Sequence, residues 1–186
     1  MGRWRVPLEY PTPALHSSTV SLRRWSYDDL ACVAEASTDP EIPRGTTVPT
    51  QYTEAGGREW IERQWARKAT GQGVSLAVVE VSTQLACGLM YLGLRRPEGH
   101  CEVGYWLVPS ARGRGLGTEA IMLASRWVLT DTDVYRLYAH VVPDNESSLR
   151  ALATCGFRRE GVLRSYLDMG DGHSDVVSLS LLSYDL

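Results

Sequence analysis

Apolar positions along this chain recur in two rhythms, one of two residues and one of three to four, and the switches between them mark the elements. Residues 19–25 (TVSLRRW) alternate as a first strand. Ser26 then caps a helix opening at Tyr27, Asp28 and Asp29, with Leu30, Val33 and Ala34 on one face. Residues 38–52 carry three prolines and no period, which predicts a long irregular loop. Thr53 caps a second helix, in which Trp60, Ile61, Gln64 and Trp65 recur at helical spacing before Gly71 and Gly73. Residues 74–81 and 85–94 read as a hairpin and 101–108 as a further strand. A third helix follows Thr118, with Ile121, Ala124 and Val128 aligned, and 134–142 alternates again. Asn145 caps a fourth helix that stops at Gly156, and 162–169 and 176–182 form a last hairpin around Gly170-Asp171-Gly172-His173. The order, β-α-α-β-β-β-α-β-α-β-β, predicts a mixed α/β sheet of about seven strands and four helices. One domain spans residues 18–186, behind an N-terminal arm, 1–17, that lies on the surface or is partly disordered.

The richest stretch is 101–117, CEVGYWLVPSARGRGLG. A strand, a glycine turn with Arg112 and Arg114, and a helix start form an anion site, because unpaired N–H groups and the positive helix end converge there. Arginines beside it suit a phosphate. A Walker A loop fails for want of a Gly-Lys step, and a dinucleotide fingerprint fails because the glycines at 113, 115 and 117 give G-x-G-x-G. A basic turn with glycines placed for positive φ is the plain alternative. Arg112-x-x-Gly115-x-Gly117 in this setting resembles the acyl-CoA pyrophosphate loop of the GCN5-related N-acetyltransferase family. Asn145-Glu-Ser-Ser148 with Gly156-Phe157, about 30 residues on, resembles that family's second cofactor motif in its ribosomal-protein N-terminal acetyltransferase (RimJ/RimL-like) branch.

The resemblance covers roughly residues 18–184 and implies a CoA-dependent N-acyltransferase fold with central strands splayed around the acyl-CoA. It implies that Arg112, Gly113, Arg114, Gly115, Leu116, Gly117 and Thr118 cradle the pyrophosphate. Backbone groups of Leu107 and Val108 would face the thioester, and Asn145 and Ser148 would lie along the pantetheine. Acyl transfer to an amine needs a base, and Glu102 is the one carboxylate in an apolar strand. Burial beside Trp106 is expected to raise its pKa; the alternative is an exposed carboxylate paired with Arg95 or Arg96. His140 and Tyr138 on the next strand are expected to face the same opening, and His140 is a reserve base. Ser148 is the candidate acid for the departing sulfur, since the position seven after Asn145, where relatives carry tyrosine, is Leu152. The family's acceptor regions correspond to residues 25–52 and 164–176, whose candidates are Trp25, Tyr27, Arg44, Tyr52, Tyr166 and Asp168. Their aromatic and acidic members suit a cationic amine. Asp168, Asp171 and Asp175 would attract it, unless they are only turn residues.

Composition narrows this further. With 186 residues, 44% hydrophobic and 22% charged, the chain has the makeup of a globular domain, and a net charge of −3 gives no general pull toward nucleic acid or anionic membrane. No run approaches eighteen apolar residues and the N-terminus lacks an apolar leader region, so a cytoplasmic protein is expected. Four scattered cysteines show neither zinc spacing nor a nucleophile paired with histidine, which favours direct transfer without metal or covalent intermediate. The expected partner is a small amine, such as an antibiotic, or a protein N-terminus, and a homodimer is compatible. The rival from another class is a catalytically silent CoA-binding sensor module.

Overall fold

The computed structural model describes residues 8–168, 170 and 172–186; the first seven residues of the expected arm, Met169 and Asp171 lie outside that range. The described chain forms β1 (Leu15–His16), β2 (Val20–Arg24), α1 (Leu30–Thr38), α2 (Glu41–Gly45), α3 (Glu54–Ala69), β3 (Gly73–Glu80), β4 (Ala86–Arg95), β5 (His100–Leu107), α4 (Leu116–Asp131), β6 (Arg136–Val141), α5 (Glu146–Thr154), β7 (Arg158–Asp168) and β8 (His173–Leu182). All eight strands join one sheet in the order β1-β2-β3-β4-β5-β6-β8-β7. Neighbours are antiparallel except β5 and β6.

The seven predicted strands and four helices are present, and two short elements are added. β1 falls inside the expected arm, where it pairs Leu15 with Leu22; two residues are too few to show an alternation. The described part of that arm is therefore docked: Leu8 is buried and Glu9 meets Lys68 at 2.5 Å. The boundary expected at residue 17 falls between two paired strands. α2 lies inside the expected irregular loop. Asp39 starts it by accepting the N–H groups of Glu41 and Ile42 at 2.8 and 3.1 Å, and Ile42 is buried. Pro40 and Pro43 disguise this helix but cost it little, because first-turn N–H groups have no intrahelical partner.

Adjacent β5 residues show how the sheet is sandwiched. Trp106 packs with Trp25 and Trp60 at centroid distances of 6.2 and 6.0 Å, on the α3 side. Leu107, pointing the opposite way, lies against the start of α4 at Gly117. Helices α1 and α3 thus cover one face, and α4, with α5 beside it, covers the other. Between them β3 is buried along its whole length. Burying such a two-sided core, at roughly 25 cal/mol per Å² of apolar surface, is the main force holding the domain.

The sheet is split at its centre. β5 and β6 pair at only three positions, His100 with Arg136, Cys101 with Leu137 and Glu102 with Tyr138. Beyond them β5 stays with β4 as far as Leu107, while β6 stays with β8 as far as Val141. A wedge-shaped opening separates the two halves.

Candidate active site

The glycine turn sits at the mouth of this wedge. Gly113 and Gly115 have φ of 72° and 78°, a left-handed geometry that favours glycine, and a Cβ at either would meet open space. Gly115 caps α4 with no side-chain acceptor, and the first N–H to find a helical carbonyl is that of Glu119, on Gly115 at 3.1 Å. The N–H groups of the preceding turn are aimed outward, as at any helix start. An anion is welcome there.

The two arginines of the turn are engaged elsewhere. Arg112 pairs with Asp39 at 2.7 Å and donates its Nε to the Leu107 carbonyl at 3.0 Å. Arg114 pairs with Glu80, and the Ser110 N–H donates to Glu35 at 2.9 Å. The turn is therefore held from three sides by carboxylates of α1, the α1–α2 junction and β3. Burial works against the charge of Asp39, but the N–H groups of Glu41 and Ile42 and the Arg112 guanidinium outweigh it, holding the carboxyl below its usual range. In this structure Arg112 and Arg114 fix the turn, and the backbone is what faces outward.

Val108, one of the two residues expected to offer backbone N–H groups in the wedge, does not offer its own there. Val108 donates its N–H to the Cys87 carbonyl at 3.0 Å, so it is consumed by β4. Bonding alternates along antiparallel strands, so Leu107 points its N–H and carbonyl away from β4, where the carbonyl takes the Arg112 Nε. Across the wedge, Asn145 caps α5 by accepting the Ser148 N–H at 3.1 Å and the Ser147 hydroxyl at 2.9 Å. Leu152, at the position where relatives carry tyrosine, is fully buried. Tyr105, not among the expected site residues, reaches over from β5 and donates its hydroxyl to the Ser148 carbonyl at 3.4 Å. Burial pushes its phenol up, so it stays protonated. Strand alternation carried the clue, since it sets Tyr105 on the face opposite Glu102.

Glu102 is not buried beside Trp106. It is half-buried and pairs with Arg95 at 2.6 Å, the alternative weighed from the sequence, because Trp106 turns into the tryptophan core further along the strand. Next to it stand Tyr138 and His140 on β6, with ring centroids 5.2 Å apart, and Tyr166 of β7 edge-on to His140 at 4.6 Å. Burial lowers the His140 pKa, and Glu102 partly offsets this. Burial, seconded by Glu102, pushes Tyr138 up to about 12.

The other acceptor candidates scatter. Trp25 is a core residue, edge-on to Trp60 at 4.9 Å. Tyr27 donates to Glu62 at 2.7 Å and lies beneath Arg58, against α3. Tyr52 packs at the start of α3 beside Gly57, and Arg44 sits exposed on α2 with Glu41 at 3.9 Å. Asp168 and Asp175 do turn work, accepting the N–H groups of Gly170 and Ser165 at 2.8 Å each. Among the described residues no group of three or more His, Cys, Asp or Glu side chains is placed to hold a metal, and no helix is long and apolar enough to cross a membrane.

A mixed sheet is thus split between two parallel strands, with a glycine turn and a helix start at the split and a carboxylate on its flank. A model of the acetyltransferase (GNAT) domain matches residues 19–158, and the chain belongs to that family of N-acetyltransferases. It is 26% identical over 170 residues to the uncharacterized N-acetyltransferase p20 of Bacillus licheniformis, covering 90% of this chain and 95% of that one. It is 32% identical to the ribosomal protein uS5-alanine N-acetyltransferase of Escherichia coli (strain K12) over 85 residues, 46% of this chain and 44% of that one. Among solved structures, Mycobacterium smegmatis RimJ in complex with CoA-disulfide superimposes with a TM-score of 0.79 at 20% identity, covering 93% of this chain and 87% of that chain.

Proposed function

We propose that the chain transfers an acetyl group, or another short acyl group, from CoA to a primary amine by direct attack in a ternary complex. The observation that carries this reading is the coincidence of three features: the wedge between β5 and β6, the outward-facing start of α4 at its mouth, and Glu102 on its flank. Backbone N–H groups around residues 113–118 hold the pyrophosphate, helped by the helix dipole. The Leu107 N–H meets the thioester oxygen as negative charge develops on it. The amine nitrogen attacks the thioester carbon, its surplus proton passes to Glu102 directly or through water, and the carbon–sulfur bond breaks. Ser148, whose main chain is fixed by Asn145 and Tyr105, passes a proton to the leaving sulfur and takes one in turn from solvent.

The cysteines support direct attack. Burial raises the pKa of all four thiols, to about 11 for Cys87 and Cys155 and further for Cys32 and Cys101, so none offers a thiolate to carry the acyl group. The acceptor we infer is a small amine or an exposed protein N-terminus, the latter being the kind of target that the uS5-alanine acetyltransferase's name gives for that relative. Incubation with acetyl-CoA and a panel of amines and N-terminal peptides, followed by free thiol, tests the reading. Amine-dependent thiol release is expected; acetyl-CoA binding with no release on any acceptor would identify a silent CoA-binding module instead.

A further inference from the structure

The sheet face around Glu102 carries a surface that the reaction as described leaves unused. Tyr91 lies flat across two glycines of neighbouring strands. A Cβ on Gly93 would come within 2.5 Å of its hydroxyl, and one on Gly104 would stand 3.6 Å from its ring. Two arginines flank this ring. Arg67, at the end of α3, stacks over it at 4.7 Å, and Arg95 stands 5.9 Å from its centroid while donating to its hydroxyl at 3.3 Å. Arg67 is held in place from below: its Nε donates to Gln64 at 3.1 Å, and buried Gln64 is itself fixed by Ser75 and the Trp60 carbonyl.

The charges here do not cancel. Arg95 is met by Glu102, whereas Arg67 is met by an amide oxygen and a ring, and by no carboxylate among the described residues. Two guanidiniums against one carboxylate leave a positive patch on a chain whose net charge is −3. It adjoins the proposed base and continues into Tyr138, His140 and Tyr166. A cationic acceptor, as the sequence suggested, would meet repulsion here; an oxyanion would meet a two-arginine clamp at the edge of an aromatic ring.

We propose that the acceptor amine carries an oxyanion, a carboxylate or a phosphate, a few bonds from its nitrogen, and that Arg67 and Arg95 hold it at the hydroxyl edge of Tyr91 while the amine reaches Glu102. Engaging Arg95 also loosens its grip on Glu102, freeing that carboxylate to take the amine proton. This rests on the acetyl-transfer reading. The test uses matched pairs with acetyl-CoA and free thiol as readout: phenylalanine, tyrosine and methionine each against their primary amides, and O-phosphoethanolamine against ethanolamine. The amide's amine is the more readily deprotonated, so solution reactivity alone favours the wrong member of each amino-acid pair.

A preference of about 10-fold or more in kcat/KM for the anionic member is expected, and which arm shows it separates carboxylate from phosphate. Arg67→Gln should collapse that preference by raising KM while kcat is kept, and Arg67→Lys should restore part of it. Circular dichroism and acetyl-CoA calorimetry check that both variants fold. Preference for the uncharged members or for polyamines, an unchanged preference in Arg67→Gln, or acetyl-CoA binding with no turnover of any pair would each overturn the proposal. Failure of acetyl-CoA to bind wild-type protein would instead remove the reading on which it rests.

Discussion

The turn at residues 112–118 and the face around Glu102 are the two halves of the proposed site, built in opposite ways. The turn is contiguous: a strand, two left-handed glycines and a helix start supply its chemistry within a dozen residues. The acceptor face is assembled from α3, β4, β5, β6 and β7, which contribute Arg67, Tyr91 and Arg95, Glu102, Tyr138 and His140, and Tyr166. The turn relies on backbone, which any sequence with the right glycines supplies. The face relies on side chains brought together by register. Cofactor binding and acceptor choice can therefore be altered independently, and the acceptor face is the part that single substitutions retune.

Substitutions that silence one half and spare the other sharpen this contrast. Glu102→Gln should lower kcat about 10²-fold or more, since general-base catalysis contributes 10²–10⁴-fold, while calorimetry finds acetyl-CoA affinity unchanged; near wild-type turnover would move the base to His140. Ser148→Ala should lower kcat by roughly 10-fold, because water can replace a hydroxyl as proton donor, with the KM for amine unaffected in steady-state assays.

Asp39→Asn touches the turn half alone, because this carboxylate both starts α2 and holds Arg112. Denaturant unfolding should show a loss of less than about 1 kcal/mol, because asparagine still accepts the Glu41 and Ile42 N–H groups and only the half-exposed ion pair with Arg112 is lost. The sign with pH follows from its lowered pKa. The stabilisation is complete above the ordinary aspartate range and fades as pH falls through the folded-state value, so the variant should lose part of the acid dependence of wild type. The smallest effect concerns His140. Burial lowers its pKa and Glu102 raises it, so its NMR titration midpoint should lie below that of an ordinary histidine and fall further in Glu102→Gln. An upward shift in the variant would separate the two residues.

The sequence made the turn legible because glycine spacing and a helix start are local signals, and every predicted strand and helix has its counterpart. It hid α2, because prolines mask a helix that Asp39 starts and Ile42 anchors. It misassigned Trp25, because a tryptophan after a strand reads equally as a core or a binding residue, and only the contact with Trp60 and Trp106 decides. The arginines were legible as residues but not as partners. Asp39 and Glu80 lie 73 and 34 positions away from Arg112 and Arg114, and no periodicity reports a contact at such range. The positive patch was equally hidden, since Arg67 meets Tyr91 only once α3 is laid on the sheet.

Whether the backbone at the start of α4 binds the cofactor is tested directly by titrating acetyl-CoA into wild type and Gly115→Asp by calorimetry. A Cβ at residue 115 meets open space, but the φ of 78° strains any L side chain, and the carboxylate would occupy the place of the phosphates, so circular dichroism and thermal unfolding must accompany the titration. The expected result is one-to-one binding by wild type and none by the folded variant. Equal affinity in both would show that the pyrophosphate lies elsewhere.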